Sequence, residues 1–136
     1  MYKRQTFTGG GLVWPATLDQ GGTGGLAITG GNTFADMTAS GTQTGPSTII
    51  FPSGNTTTFT NAFSLTGTAT SYITLLPSMS GSPYTLSLAS GTVNSNFLNI
   101  TSSITTGGAT WYAGGNSINS VAVSYTHLTL PTIYSV

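Results

Sequence analysis

The chain has no cysteine and no glutamate, and its 136 residues include only two aspartates, two basic residues and one histidine. Each absence excludes a class of chemistry. Without cysteine there is no thiolate metal site, no disulfide framework and no thiol redox centre. Two basic residues cannot neutralise a run of phosphates, so no nucleic-acid partner is expected. Charged residues make up 3% of the chain, against about a quarter in ordinary soluble domains. No apolar run is long enough to span a membrane, and no charged-then-apolar leader opens the chain. Helix is not expected anywhere, because β-branched and turn-forming residues interrupt every window that could hold a helical period.

What is present is small and polar. Thr (27), Gly (19), Ser (17) and Asn (8) supply 71 residues, about half of the chain. Leu, Ile, Val and Phe supply 30, just above the roughly 20% below which highly charged chains stay disordered. Thr, Val, Ile, Phe and Tyr fit a pleated surface, and the length suits one domain with a modest core. A folded all-β chain is therefore expected.

The two ends differ from the middle. Residues 1–5, Met1-Tyr-Lys-Arg-Gln5, contain both basic residues, and residues 123–136 contain the only histidine, His127. Met1 to Gln5 resembles a translation of GTG TAT AAG AGA CAG, and Val123 to Thr132 resembles a translated run that begins GTC TCT TAT ACA CAT. The two strings stand in the inverted relation that a transposon-end sequencing adapter on both sides of an insert would produce. Both ends are therefore set aside as adapter-like, and the segment between them is expected to be an internal fragment of a longer protein. Val123 to Leu130 nevertheless alternates well enough to add a strand to an exposed sheet edge. Between Thr6 and Ala122 the only ionisable side chains of acid or base type are Asp19 and Asp36.

Residues 6–31 are dense in glycine and read as a flexible or tightly turning connector. Beyond them, over 32–122, short apolar alternations recur between turn residues. One column comprises Ile49-Ile-Phe51, Ile73-Thr-Leu75 and Leu98-Asn-Ile100. A second comprises Met37-Thr-Ala39, Phe63-Ser-Leu65, Leu86-Ser-Leu88 and Trp111-Tyr-Ala113. In each triplet the first and third side chains share a face and the second points away. Trp111 and Ala113 should therefore face inward and Tyr112 outward. Two interleaved columns that share one period of about 24 residues suggest a solenoid. The fold expected is a right-handed parallel β-helix, open at both ends, in which Thr, Ser and Asn columns pair between rungs without charge. A β-sandwich, with short strands at about 8–12-residue spacing, is the alternative.

Few residues could carry chemistry. Glycoside hydrolysis needs two carboxyl groups a set distance apart, and Asp19 and Asp36 straddle the glycine-dense stretch in turn-like text. Calcium-binding repeats need several carboxylates at short spacing, which are absent. The runs Gly9–Gly11 and Gly21–Gly25 have no following lysine and no helix, so they do not read as phosphate loops. No catalytic residue, cofactor site or metal site is expected. The one candidate ligand contact is Tyr112, an outward ring that could stack on a sugar.

The stretches Gly31-Asn-Thr-Phe-Ala-Asp-Met37, Phe59-Thr-Asn-Ala-Phe63-Ser-Leu-Thr-Gly-Thr68 and Gly107-Gly-Ala-Thr-Trp111-Tyr-Ala-Gly-Gly-Asn116-Ser117 resemble the repetitive β-rich segments of large tailed-phage virion proteins (tail-associated or fibre-like) and of bacterial surface proteins. Such segments usually continue into a Gly/Asn-rich ending with a tryptophan, whereas here Ile118 to Ala122 follow. The resemblance spans roughly residues 30–117 and supplies no catalytic residue. It implies β-helix-like folding and a structural role on a virion or cell surface, with neighbouring repeats of the same longer chain as partners. Two other readings stand beside it: a carbohydrate-binding or adhesive module that meets a surface glycan, and a piece of a polysaccharide-degrading enzyme whose site lies outside the segment.

Overall fold

The computed structural model describes residues 5–19, 24–39, 47–120 and 128–129. It is all-β, and the strands fall into three parallel sheets. The first sheet stacks β1 (Gln5–Thr8), β3 (Leu26–Thr29), β5 (Ser47–Phe51), β7 (Ile73–Pro77), β10 (Leu98–Ile100) and β13 (Ile118–Asn119) in that order. The second stacks β2 (Val13–Asp19), β4 (Thr33–Thr38), β6 (Thr56–Ser64), β8 (Tyr84–Leu88) and β11 (Ser103–Thr106). The third holds β9 (Thr92–Asn94), β12 (Thr110–Tyr112) and β14 (Leu128–Thr129). Chain-adjacent strands thus lie in different sheets, and each strand pairs with one from the next circuit. Every ladder among the described strands is parallel, whereas a β-sandwich is built on antiparallel pairs.

The corners explain the glycines. Between first-sheet and second-sheet strands, Gly11, Gly30, Gly54, Gly81 and Ser102 each take a left-handed φ, between 47° and 80°. Gly91 and Gly107 do the same on entry to the third sheet, and Phe97 and Gly114 on the way back to the first. Glycine enters this region without the steric cost a side chain meets there, and it fills seven of the nine left-handed positions among the described residues. Residues 6–31, expected to be a connector, hold nearly all of β1 and the whole of β2 and β3, and Gly11 and Gly30 among them are corner residues.

Side-chain amides fasten these corners. Asn32, buried, donates from Nδ2 to the carbonyls of Thr29 (2.9 Å) and Gly9 (3.3 Å), and its Oδ1 accepts from the Leu12 amide (3.3 Å). Asn96 Oδ1 accepts from the amides of Phe97 (3.0 Å) and Asn116 (3.2 Å), linking two circuits.

The core lies between the three sheets. Leu26, Ile28, Ile49, Phe51, Ile73, Leu75, Leu98 and Ile100 come from the first sheet and are all buried. Phe34, Met37, Phe59, Phe63, Leu86 and Leu88 come from the second, and Val93 and Trp111 from the third. Phe34 sits opposite Phe59 with ring centroids 6.2 Å apart, and Phe51 stacks on Tyr84 at 5.0 Å.

The first column of triplets holds together with one shift. Ile73 pairs with Leu98 and Leu75 with Ile100, but Ile49 pairs with Leu75 rather than Ile73. The second column splits. Met37 pairs with Phe63, whereas Leu86 pairs with Thr57, and Trp111 pairs with Val93 in another sheet. The nine-residue β6 causes the split: its first half runs under β8, while its second half, beyond a register shift against β4, continues without β8. Circuits consequently differ in length. Successive first-sheet partners are Gln5 and Leu26, Leu26 and Ile49, Ser47 and Ile73, Ile73 and Leu98, and Asn99 and Ile118, so the step lengthens and then shortens along the stack and no single value holds throughout.

Residues 1–4, 121–127 and 130–136, which include most of both adapter-like ends, lie outside the described residues. Of those ends, Gln5 begins β1, and Leu128–Thr129 forms β14 beside β12.

Candidate functional site

Asp19 and Asp36, far apart in the sequence reading, are brought together on the outer face of the second sheet. In the β2–β4 ladder Thr17 stands opposite Asp36, and Asp19 opposite Thr38. The carboxylates are therefore diagonal neighbours, an arrangement that spares them the direct like-charge opposition that destabilises a sheet. Each is held by a threonine of the facing strand: Thr38 Oγ1 donates to Asp19 Oδ1 at 3.1 Å, and Thr17 Oγ1 donates to Asp36 Oδ2 at 3.4 Å. No group of three metal-ligating acid, histidine or cysteine side chains occurs among the described residues.

The third sheet carries the aromatic pair. Trp111 is 2% exposed and Ala113 is buried, whereas Tyr112 between them is 41% exposed. Strand alternation accounts for all three. Tyr112 was expected to extend an outward row of Thr38, Ser64 and Ser87. It stands instead opposite Asn94 of β9, because β8 turns off at Gly91 before reaching this part of the surface. Beneath the pair, Phe63 and Trp111 approach with ring centroids 5.2 Å apart.

Two spaces adjoin this region. A cavity of about 20 Å³ lies in the core beside Trp111, Ser95 and Thr105. Trp111 Nε1, Ser95 Oγ and Thr105 Oγ1 are buried and make no hydrogen bond among the described residues. The cavity matches the space of a single water molecule.

The second space is an open groove of about 270 Å³ on the surface. It forms where β6 loses its upper neighbour: the β6–β8 ladder ends at the pair Phe59 and Leu88, and the chain then turns through Ser90 and Gly91 into β9. Asn61, Ala62 and Ser64 form one side of the groove, and Ser90, Thr92 and Asn94 form the other. The sequence signal for it was weak, because these residues belong to common turn and strand text. Only the circuit-length mismatch between β6 and β8 opens the space.

Comparison with protein-family models, with curated proteins and with solved structures found no match to this chain.

Proposed function

We propose that the chain is a non-catalytic structural segment of a virion-surface or extracellular cell-surface protein, folded as a right-handed parallel β-helix with circuits of about 24 residues, in the range of known solenoid repeats. The observation that carries this reading is the register of the first sheet, in which six strands from successive circuits pair in parallel and in chain order. A crossover between parallel strands of one sheet is right-handed in about 98% of cases, which supports the handedness. The near absence of charge suits such a fold, since corner amides and threonine hydroxyls do the polar pairing. The partners that fit are neighbouring repeats of the same longer chain. At the N-terminal end of the second sheet, β2 has no further strand beside it among the described residues, and Leu12, Val13 and Trp14 are exposed there; a preceding circuit would cover them.

Two measurements test this function. Sequencing of the flanking DNA should extend the reading frame into further repeats, beside genes for capsid, tail or surface proteins. Incubation with a panel of polysaccharides should release no new reducing ends. Release that disappears on Asp19→Asn or Asp36→Asn would overturn the structural reading in favour of a degrading enzyme.

A further inference from the structure

The groove between β6 and β9 gathers into one concavity several polar side chains that the fold does not use. Of the six asparagines elsewhere, Asn32, Asn55, Asn96 and Asn99 each accept or donate a side-chain hydrogen bond within the protein, whereas Asn116 and Asn119 are exposed and make none to another described residue. Among serines outside the groove, Ser53 donates to the Met79 carbonyl, Ser117 to that of Ala113 and Ser120 to Asn99 Oδ1, and Ser78 Oγ accepts from the Ser53 amide. In the groove, the side chains of Asn61, Ser64, Ser90, Thr92 and Asn94 make no hydrogen bond to another described residue, and all five are exposed. Two amides and three hydroxyls thus converge on one concavity with their donors and acceptors free. The backbone adds to them, because β6 beyond Phe59 has no ladder partner on the groove side until the single bridge from Thr66 to Asn96.

The electrostatics narrow the occupant. No charged side chain lines the groove. The nearest charges among the described residues are the two carboxylates: Asp36 faces Ala62 across the β4–β6 ladder, and Asp19 lies one strand beyond Thr38, which faces Ser64. An anionic ligand would meet negative charge with no cation to offset it, and a cation would find no carboxylate inside the groove. The fitting ligand is neutral and rich in hydroxyl groups. Beside the groove, Tyr112 stands directly opposite Asn94 with its ring exposed, an apolar face next to the amide. At about 270 Å³ the space is just below the roughly 300–1,000 Å³ of drug-sized sites, so it accepts a small ring rather than a long buried chain.

We propose that this groove binds a neutral saccharide, with Asn61 and Asn94 hydrogen-bonding its hydroxyls and Tyr112 covering one face of the ring. The inference goes beyond the structural role and is independent of it, since a scaffold segment needs no ligand.

The test is calorimetric titration of the full chain with maltotriose, cellotriose, mannotriose and triacetylchitotriose. Saturable binding of at least one is expected, with affinity insensitive to added salt because no ion pair forms. Asn94→Ala and Tyr112→Ala should each weaken it by about tenfold or more, while Asn119→Ala, on β13, should leave it unchanged. Circular dichroism on each variant separates lost binding from lost fold, and Asn94→Ser, which keeps a hydroxyl, provides a milder second variant. Absence of saturation with all four sugars would overturn the proposal, as would binding that Asn94→Ala and Tyr112→Ala leave intact in a folded protein. Neither result would touch the parallel architecture.

Discussion

Thr57 stands directly opposite Leu86 in the β6–β8 ladder, and both side chains are buried in the same core. They contribute with opposite sign. Leu86 is 3% exposed, so Leu86→Ala should cost about 2–5 kcal/mol through lost burial and the cavity left behind. The Thr57 hydroxyl is buried without a hydrogen-bond partner among the described residues, and such a group carries its desolvation cost uncompensated. Thr57→Val, which replaces the hydroxyl by a methyl of similar size, should therefore stabilise by about 1 kcal/mol. Urea unfolding of the two variants checks both signs; a loss for Thr57→Val as large as that for Leu86→Ala would contradict the inward placement of an unpaired hydroxyl.

The contact between Phe63 and Trp111 joins strands in two different sheets, β6 of the second and β12 of the third. Trp111 should behave as a core residue, with Trp111→Ala costing about 3–5 kcal/mol. The chain's other tryptophan, Trp14, is 38% exposed. Iodide should therefore quench only part of the fluorescence, and Trp14→Phe should remove the quenchable part. Full quenching in the Trp14→Phe variant would place Trp111 at the surface.

The corner residues separate conformational strain from contact. Gly54 has φ +69°, and nothing lies within 4 Å of the place a Cβ would occupy. Gly54→Ala should thus cost about 1–2 kcal/mol from backbone conformation alone. Gly107→Ala should cost more, because a Cβ there would also clash with the Leu88 carbonyl. Ser102 occupies the equivalent corner with φ +47°, and Ser102→Gly should be neutral or stabilising by up to about 1 kcal/mol, strain relief being partly offset by the chain entropy of glycine. Thermal unfolding should find Gly107→Ala the least stable of the three, Gly54→Ala next and Ser102→Gly the most stable; a marked loss for Ser102→Gly would contradict this account of the corners.

What was legible in the sequence is the alternation of apolar residues within single strands. Ile73-Thr-Leu75 and Leu98-Asn-Ile100 sit in register because both inward positions are apolar and the spacing between the triplets equals one full circuit. The strand β11 escaped notice because its inward residues, Ser103 and Thr105, are hydroxyl-bearing yet buried. The strand β9 escaped because it has a single inward residue, Val93, between two exposed ones. β2 shows no alternation of burial at all, lying at the sheet edge with six of its seven residues exposed. Asp19 and Asp36 looked unrelated because their proximity depends on pairing between successive circuits, which no local pattern reports. Tyr112 was correctly read as outward from alternation, but its neighbour Asn94 depends on where β8 ends. The groove is therefore a product of topology, and residue types alone could not have located it.

The adapter-like ends yield a separate expectation. Removing residues 1–5 and 123–136 should leave amide protection of β5, β7 and β10 unchanged, since these strands pair with one another. Loss of β14 would uncover one side of β12, and loss of Gln5 would open its pairing with Leu26, so faster exchange should be confined to residues 110–112 and to the start of β3. Loss of protection throughout the first sheet would mean that the ends are integral to the fold.

The parallel stacking of successive circuits is most directly tested by interstrand nuclear Overhauser contacts in isotope-labelled protein. Contacts should link Ser47 with Ile73, Ile73 with Leu98 and Leu75 with Ile100, all running in the same direction along the strands. Contacts in the opposite order, Ile73 with Ile100 and Leu75 with Leu98, or hairpin pairing of β7 with β8, would contradict it.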